Sequence, residues 1–276
     1  MPELPEVEHV VRGLRRAVLG QRIVAVDVNL PRLLAGISAG TFKRKLRSAR
    51  IDAVNRRGKY ILIELDSLDV LLVHLRMTGK FLCVGPEQPL PPYPHVVFYL
   101  DDDRRLVFCD MRQFGRMRLL AAKKLSTLQQ IEELAPEPFG DDFSFDYFWQ
   151  TLSKSRRSLK QLLLDQTRIL GLGNIYASEA LFLARINPLK AADTLSKARA
   201  LKLHQAIREI LQEAIDAGST LKIDLTDGEG GYFGTTERFW RVYERAGEPC
   251  VNCGTKIRRV VQGGRSTYYC LKCQKR

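Results

Sequence analysis

The sequence has 276 residues, of which 45% are hydrophobic, enough to bury the cores of two domains or of one domain with smaller modules. Its formal net charge of +13, from 44 basic and 31 acidic side chains, favours a polyanionic partner, either nucleic acid or a membrane surface. We find no run of about 18 apolar residues and no basic-then-apolar leader, so the sequence favours nucleic acid and predicts a cytoplasmic protein.

The first predicted element is an amphipathic helix directly behind the opening MPELPEVE. Apolar residues recur at helical spacing from Leu4 to Leu19, and Gly20 predicts the end of the helix. A proline behind the initiator Met suits a capped surface helix, and it also suits an N-terminus that carries function. The residues of this segment alone do not decide between a capped surface helix and a functional N-terminus.

From about residue 23 to residue 120 the sequence changes to short β-rich runs separated by turn residues. These runs are RIVAVDV, YILIEL, VLLVHLRM, HVVFYL, RRLVFCDM and RMRLL. They predict a sheet sandwich or a barrel-like domain, with the N-terminal helix packed at its edge. Cys83 and Cys109 lie singly in apolar runs, and we interpret both as small buried hydrophobes.

Helical periodicity takes over from about residue 126 to residue 217. The predicted helices lie in PEPFGDDFSFDYFWQTL, which begins as a linker, and in SLKQLLLDQT, NIYASEALFLA and LSKARALKLHQAIREILQEAI. The segment ILGLGN presents two glycines before Asn174, which is a candidate N-cap. The start of such a helix can bind phosphate through its backbone N–H groups, although the segment also suits a simple turn between helices.

The C-terminal segment carries four cysteines in the spacing C-x2-C-x16-C-x2-C, at Cys250, Cys253, Cys270 and Cys273. Two thiolate pairs on tight turns can close a tetrahedron around one Zn²⁺, and four protein ligands make such a site structural. A pair of disulfides is the alternative, which a reducing cytosol disfavours. The segment between the pairs predicts a basic β-hairpin with GGR at its tip, suited to a DNA groove or to a solvated basic face.

Two strand ends carry residues that suit contact with DNA bases. Arg112 and Phe114 are two apart in DMRQFGRM, and Met77 lies in HLRMTGKF. Side chains two apart on a strand share a face, and exposed apolar side chains can enter a base stack. Packing in the protein core is the alternative for these three residues.

Two further residues, one lysine and one histidine, are weaker candidates for contact with DNA. Lys59 lies at the mouth of a predicted strand, where a lysine is normally a solvated edge charge. His95 follows the prolines of PPYPHVV and is a candidate for contact with a phosphate. The other histidines lack metal-ligand spacing, and we interpret them as structural: His9, His74 and His204.

The order of these motifs along the whole chain resembles the bacterial formamidopyrimidine-DNA glycosylase family. The matching motifs are PELPEVE, RRGKY, HLRM-G, D-x-R-x-FG, LLLDQ, GLGNIYASEALF, AGSTL and the four-Cys finger with GGR. The related endonuclease VIII type typically has Gly where Leu4 stands, so Leu4 favours the branch that acts on purine lesions.

This resemblance implies an α+β architecture in three parts. An N-terminal helix and a two-layer β-sandwich would form a catalytic domain over residues 1–125. A helical, helix-two-turn-helix domain with a lesion-capping loop would cover residues 126–240, and a zinc-finger β-hairpin with one structural Zn²⁺ would cover residues 241–276. Segment 217–235 matches the family only at SerThrLeu and GlyTyrPhe, which leaves the base preference open.

The resemblance also implies a chemistry for the N-terminus. Met1 would be removed, and the secondary amine of Pro2 would attack the sugar C1′, release the damaged base and form an iminium. Glu3 would protonate the sugar ring oxygen, and Glu6 would hold the site together. Strand cleavage by β- and then δ-elimination would follow, supported by Lys59 and by Arg265 at the finger tip.

The remaining implied roles concern DNA. His95, Arg112 and Arg156 match DNA-binding positions of the family, Lys160 and Asn174 would bind phosphates flanking the lesion, and Met77, Arg112 and Phe114 would fill the stack that the flipped nucleotide leaves. The implied partner is double-stranded DNA with an oxidised purine or an abasic site, bound by a monomer. A non-catalytic zinc-finger DNA-binding protein and an endonuclease VIII-type enzyme for oxidised pyrimidines are the alternatives.

Overall fold

The computed structural model describes residues 2–218 and 240–275, and its chain divides into two compact units. The described part of the first unit is residues 2–132 with Gly218, and that of the second is residues 133–217 and 240–275. None of the helices in these ranges is long and apolar enough to cross a membrane. The lesion-capping segment predicted at 217–235 lies, apart from its first two residues, outside the described residues.

Within its described residues, the first unit begins with helix α1 (Leu4–Val18) and contains a short helix α2 (Ala39–Leu46), eight strands and helix α3 (Gln129–Glu132). The strands are β1 (Ile23–Val28), β2 (Ile51–Arg57), β3 (Tyr60–Leu65), β4 (Asp69–His74), β5 (Gly79–Val84), β6 (Pro94–Leu100), β7 (Arg105–Asp110) and β8 (Arg116–Ala121).

These strands form two antiparallel four-stranded sheets, ordered β1-β6-β7-β5 and β2-β3-β4-β8. Alternating apolar side chains of both sheets meet in one large core, which includes Val10 and Leu14 of α1 and Phe42 of α2. The sandwich predicted from the β-rich runs is thereby confirmed. Helix α1 packs against β2, which is an edge strand, as the sequence predicted.

The described part of the second unit contains four α-helices and the C-terminal hairpin. The helices are α4 (Phe145–Ser153), α5 (Leu159–Leu163), α6 (Asn174–Leu183) and α7 (Lys197–Asp216), and the hairpin is β9 (Arg258–Gln262) with β10 (Arg265–Tyr269). Helix α6 is buried on most sides, packs against α7 and also contacts β10. The hairpin and the helices therefore share one folded unit.

Candidate functional site

The N-terminus is held by a reciprocal cap on α1. The backbone N–H of Glu3 donates to the Glu6 carboxylate at 2.8 Å, and the Glu3 carboxylate accepts from the backbone N–H of Glu6. Pro2, Glu3 and Glu6 are all buried, and the two glutamates are only 2% and 4% exposed. The cap fixes the peptide that joins Pro2 to Glu3, so a carboxylate is held next to residue 2.

Lys59 lies in the tight turn between β2 and β3, next to Gly58, whose φ is +57°. This turn is linked to α1 by Arg56, which donates to Glu8 at 3.0 Å and to the Gly58 carbonyl at 3.1 Å. Burial raises the pKa of Glu8, but the hydrogen bonds and charges of Arg56 and Arg12 outweigh it and hold this pKa below its ordinary value. The Lys59 side chain is 5% exposed, so it is not a solvated edge charge.

His74, which pairs with Tyr60 at the end of this turn, is buried and neutral. Burial lowers its pKa to about 3, and the charges of Arg76 and Lys59 lower it further in the same direction. Its Nδ1 accepts from the backbone N–H of Arg76 at 2.9 Å, and its ring stands edge-on to Tyr60 at 4.7 Å between centroids. These contacts agree with the structural role predicted for it.

We call Met77, Arg112 and Phe114 the wedge residues. Met77 is 37% and Phe114 49% exposed, and the Arg112 guanidinium lies 5.0 Å from the centre of the Phe114 ring. Packing of these side chains in the core, the alternative that the sequence left open, is therefore wrong. They lie on two turns, one between β4 and β5 and the other between β7 and β8.

His95 lies beneath one of these turns and is 8% exposed. Its Nε2 lies 2.8 Å from the carbonyl oxygen of Asp110, and because a carbonyl only accepts, Nε2 carries the proton. Nε2 is therefore already used in a hydrogen bond within the protein, so any contact of His95 with a phosphate would have to use Nδ1.

In the second unit, Lys160 and Asn174 belong to one network. Lys160 is 1% exposed and donates to the Asn174 carbonyl at 3.1 Å and to the Ser178 hydroxyl. Asn174 is the first residue of α6, and Gly173 is its N-cap, so the prediction of Asn174 as the cap is wrong. Its side-chain amide instead donates to the Ser266 carbonyl of the hairpin at 2.9 Å, while Arg156 is exposed before α5.

Arg265 is exposed at the tip of the C-terminal hairpin. The tip is a two-residue turn, because Gln262 pairs with Arg265 across it and both intervening glycines, Gly263 and Gly264, have positive φ (53° and 75°). The Gln262 side chain donates to the Ser158 hydroxyl beside α5 at 3.1 Å. The position of Arg265 is thus fixed by the hairpin and by its attachment to the helices.

The four C-terminal thiols converge. The sulfur atoms all lie within 4.8 Å of one another, with 3.8 Å between Cys250 and Cys273 and 3.5 Å between Cys253 and Cys270. A tetrahedral Zn²⁺ with Zn–S bonds of about 2.3 Å separates its sulfurs by about 3.8 Å, whereas a disulfide requires about 2.05 Å. The residues therefore fit one structural zinc, and the disulfide alternative is wrong.

The other two cysteines are buried as predicted: Cys83 is 2% and Cys109 1% exposed. Burial raises the pKa of the Cys109 thiol to about 12, so it is protonated at neutral pH. These thiols belong to the core.

The sequence assigned no role to several buried polar residues, among them Asp110, Glu179 and Gln274, each 0% exposed. Glu179 accepts three backbone N–H groups, those of Arg241, Val242 and Tyr243, each at 2.9 Å. Gln274 attaches the finger to the helices by donating to the Ile186 carbonyl at 2.9 Å. A polar residue inside an apolar run was the available signal, as in SEALF for Glu179.

Comparisons with known proteins agree with this arrangement of a β-sandwich, a helical unit and a four-Cys hairpin. Three family models match: the formamidopyrimidine-DNA glycosylase N-terminal domain over residues 1–117, the H2TH domain of the same family over 134–224, and the zinc finger found in FPG and IleRS over 247–276.

Full-length relatives match as well. The formamidopyrimidine-DNA glycosylase of Heliobacterium modesticaldum is 44% identical, and the match covers 100% of both chains. The Lactococcus lactis Fpg solved with DNA that contains an abasic site has a TM-score of 0.90 and 35% identity, covering 99% of this chain and 100% of that one. A MutM solved with DNA that contains carbocyclic 8-oxo-G has a TM-score of 0.91 and 34% identity, covering 100% of both.

The fold and the finger define a protein of the DNA-glycosylase class that joins a β-sandwich to a helix-two-turn-helix unit with a structural zinc. At this identity and coverage, the chain belongs to the formamidopyrimidine-DNA glycosylase family.

Proposed function

We propose that this chain is a base-excision-repair DNA glycosylase with abasic-site lyase activity, acting on oxidised purines, chiefly 8-oxoguanine and formamidopyrimidines. The observation that carries the proposal is the cap that holds the buried Glu3 carboxylate next to Pro2 at the start of a rigid helix. Family membership supports the choice of substrate, and Leu4 supports the purine branch.

In the glycosylase step, Pro2 acts as the nucleophile after Met1 has been removed. A free α-amino group titrates near ~8, so part of it carries a lone pair at neutral pH. The nitrogen forms a bond to the sugar C1′ as the bond from C1′ to the base breaks; the electron pair leaves on the base, which takes up the proton that the Pro2 nitrogen loses. Glu3 gives a proton to the ring oxygen as the C1′–O4′ bond opens and leaves an iminium.

The lyase step uses the acidity that the iminium confers on the sugar. Loss of the C2′ proton expels the 3′ phosphate, and a second elimination expels the 5′ phosphate. Lys59 contacts a phosphate near the lesion, and Arg265 holds the flanking phosphate for the second elimination. Glu6 keeps Glu3 and Pro2 in place through the cap.

The DNA-binding roles follow from charge and exposure. Arg156 and Arg265 are exposed and contact the DNA backbone. Lys160 and Asn174 bind phosphates that flank the lesion, and His95 also contacts DNA; hydrogen bonds within the protein hold these three residues in place. Because a base inside a duplex cannot reach Pro2, the nucleotide flips out. The wedge residues then fill the vacated stack, and Arg112 faces the orphaned cytosine.

The test of this proposal is reductive trapping on a panel of lesions. With Met1 removed, borohydride should trap a covalent complex on 8-oxoguanine and abasic duplexes, and peptide mapping should place the adduct on Pro2. Retention of Met1 turns the Pro2 nitrogen into an amide, so excision and strand cleavage should both be lost while DNA binding remains.

Glu3→Gln keeps the shape but removes the proton source, so it should bind lesion DNA and stall before the base is released. An adduct on Lys59, or full activity with Met1 retained, would refute the mechanism. Absence of any trapped complex would favour a non-catalytic zinc-finger DNA-binding protein, and preference for oxidised pyrimidines would favour an endonuclease VIII-type enzyme.

A further inference from the structure

The two turns that carry the wedge residues cross between the sheets at the same end of the sandwich. One leads from β4 to β5 and the other from β7 to β8, so both pass from one sheet to the other. Strands β5 and β7 are neighbours, with Gly79 paired to Asp110, and so are β4 and β8, with His74 paired to Arg116. The turns therefore start and end on paired residues and lie side by side.

One buried carboxylate, that of Asp110, connects the two turns. Its Oδ1 accepts from the Thr78 hydroxyl, next to Met77 on one turn, and from the backbone N–H of Arg112 at 3.2 Å on the other. Its Oδ2 accepts from the backbone N–H of Gly115 at 2.7 Å. The Thr78 oxygen also accepts from the backbone N–H of Arg112 at 3.0 Å, which joins the turns directly.

The main chain of Asp110 adds two further bonds. Its carbonyl accepts from His95 Nε2 at 2.8 Å and from the backbone N–H of Gln113, which has a positive φ of 58°, at 3.1 Å. Asp110 itself is 0% exposed. A buried carboxylate that accepts several N–H and O–H groups holds them strongly, because bonds to a charged acceptor are worth more than neutral ones.

Beneath both turns lies the ring of Phe108. A Cβ added at Gly79 would lie 2.9 Å from Phe108 Cζ, and one added at Gly115 would lie 2.7 Å from the same atom. Only glycine lets the backbone approach the ring this closely. The bases of the turns are therefore tight, whereas the Met77 and Phe114 side chains they carry are exposed.

This contrast between locked backbone and exposed side chains is what a base-stack wedge requires. Separating stacked bases costs a few kcal/mol. A side chain whose backbone shifts on contact with the bases cannot hold them apart. A group held in place before binding also avoids the entropy cost of being ordered on binding.

We propose that Asp110 is a positioning residue for the wedge residues. Its hydrogen bond with Thr78 fixes the turn that carries Met77. The inference rests on the proposed function, because it matters only where a wedge opens a base stack. Asp110 touches neither substrate nor the reacting atoms, so its loss should impair opening of the stack and leave the chemical steps intact.

The experiment compares single-turnover excision of 8-oxoguanine from two duplexes. In the first, the lesion is paired with cytosine; in the second, a one-nucleotide gap lies opposite the lesion, which then has no pairing partner. The variants are Thr78→Val, Thr78→Ser and Asp110→Asn, with Phe114→Ala as the direct test of the wedge. Thr41→Val is the matched control, because Thr41 is also half-buried in the first unit and also has a hydrogen-bonded hydroxyl.

Thr78→Val removes the hydroxyl that bonds to Asp110 and to the Arg112 N–H, so we expect it to slow excision from the paired duplex about tenfold. It should change the rate on the gapped duplex by less than about twofold. Thr78→Ser keeps the hydroxyl and should restore the paired rate, and Asp110→Asn should act in the same direction as Thr78→Val. 2-Aminopurine placed beside the lesion should show a slower fluorescence rise in Thr78→Val only when the lesion is paired. Thr41→Val should match the unsubstituted protein on both duplexes.

Equal losses on the two duplexes would reduce Thr78 to a structural role and overturn the inference, as would an unchanged paired rate in Thr78→Val. If Asp110→Asn fails to fold, the two Thr78 variants still decide. A protein that excises nothing before substitution refutes the proposed function, and the inference falls with it. Normal excision with no effect of Phe114→Ala refutes the wedge and overturns the inference with it, while the proposed glycosylase function stands.

Discussion

Replacement of Glu179 should destabilise the second unit more than any exposed substitution on its helices. This carboxylate is 0% exposed on α6 and accepts three successive backbone N–H groups. Two of them, from Val242 and Tyr243, share Oε1, and the N–H of Arg241 binds Oε2. Val242 packs in the same cluster as the zinc-ligand residues Cys250 and Cys270. Glu179 therefore joins α6 to the chain that enters the finger.

The magnitude follows from which bonds each variant keeps. Glu179→Leu leaves three N–H groups without this acceptor, at about 1–3 kcal/mol each, so we expect a loss of roughly 3–6 kcal/mol after relaxation. Glu179→Gln keeps one oxygen for two of the donors and sets its NH2 group against the Arg241 N–H, so about 1–3 kcal/mol is expected. Against a total stability of about 5–15 kcal/mol, the Leu variant should be marginal.

Urea unfolding followed by tryptophan fluorescence measures this loss. The chain has two tryptophans, Trp149 and Trp240, and both belong to the second unit, so the signal reports that unit alone. Zinc release under urea, measured with a chromogenic chelator, should begin at the lowest urea concentration in Glu179→Leu. It should begin at a higher concentration in Glu179→Gln and at the highest in the unsubstituted protein. Glu209→Leu, an exposed change on α7, serves as the control and should stay within about 0.5 kcal/mol. If Glu179→Leu unfolds within about 1 kcal/mol of the unsubstituted protein and keeps its zinc, the anchoring argument is refuted.

Three other outcomes are expected. Removal of zinc, or Cys250→Ala, should weaken DNA binding and cleavage together, measured by filter binding and nicking; active purified protein without zinc would contradict the structural role. Because the folded pKa of His74 is about 3, below its ordinary 6.5, the folded state binds fewer protons than the unfolded state between these values. Its contribution to stability is therefore complete above about pH 6.5 and declines as the pH falls, by roughly 2 kcal/mol at about pH 5. His74→Gln should flatten the dependence on pH of the urea midpoint of the first unit, followed by circular dichroism because both tryptophans lie in the second unit. Parallel profiles would refute the assignment. Phe114→Ala and Met77→Ala should each slow excision from paired duplex with DNA binding retained, and unchanged single-turnover rates in both would refute the wedge role.

The spacing of apolar residues predicted most of the helices and strands that bury one face or nearly all of their side chains. Helix α1, six of the eight sandwich strands and the four helices of the second unit follow the apolar spacing of the sequence, and β5 corresponds to the apolar run around Cys83. Strand β2 was missed because only Ile51 and Val54 of its seven residues are buried. Helix α2 was missed because its buried face consists of Phe42 and Leu46 alone, among basic neighbours.

The sequence predicted the exposed wedge residues and the clustered zinc ligands of the candidate site. It did not predict the buried polar residues that hold them in place. The zinc ligands follow from spacing, and the wedge residues from motif order. Glu179 and Gln274, by contrast, act on backbone groups 63 and 88 residues away, and a local pattern contains no trace of such a partner. Asp110 differs again: it stands inside a recognised motif, but its bond to Thr78 appears only when β5 pairs with β7.

The glycine pair at the hairpin tip has a consequence for how a repair protein searches a genome. Gly263 and Gly264 offer only main-chain atoms, and the positive φ of both disfavours any side chain there. The two glycines offer no side-chain amide or guanidinium that could distinguish one base pair from another, so with Arg265 on a phosphate, as proposed above, the turn would contribute no base discrimination. A finger that does not distinguish the flanking sequence can slide along DNA past any base pair. The expected signature is a salt-dependent affinity that is the same for undamaged duplexes of any composition.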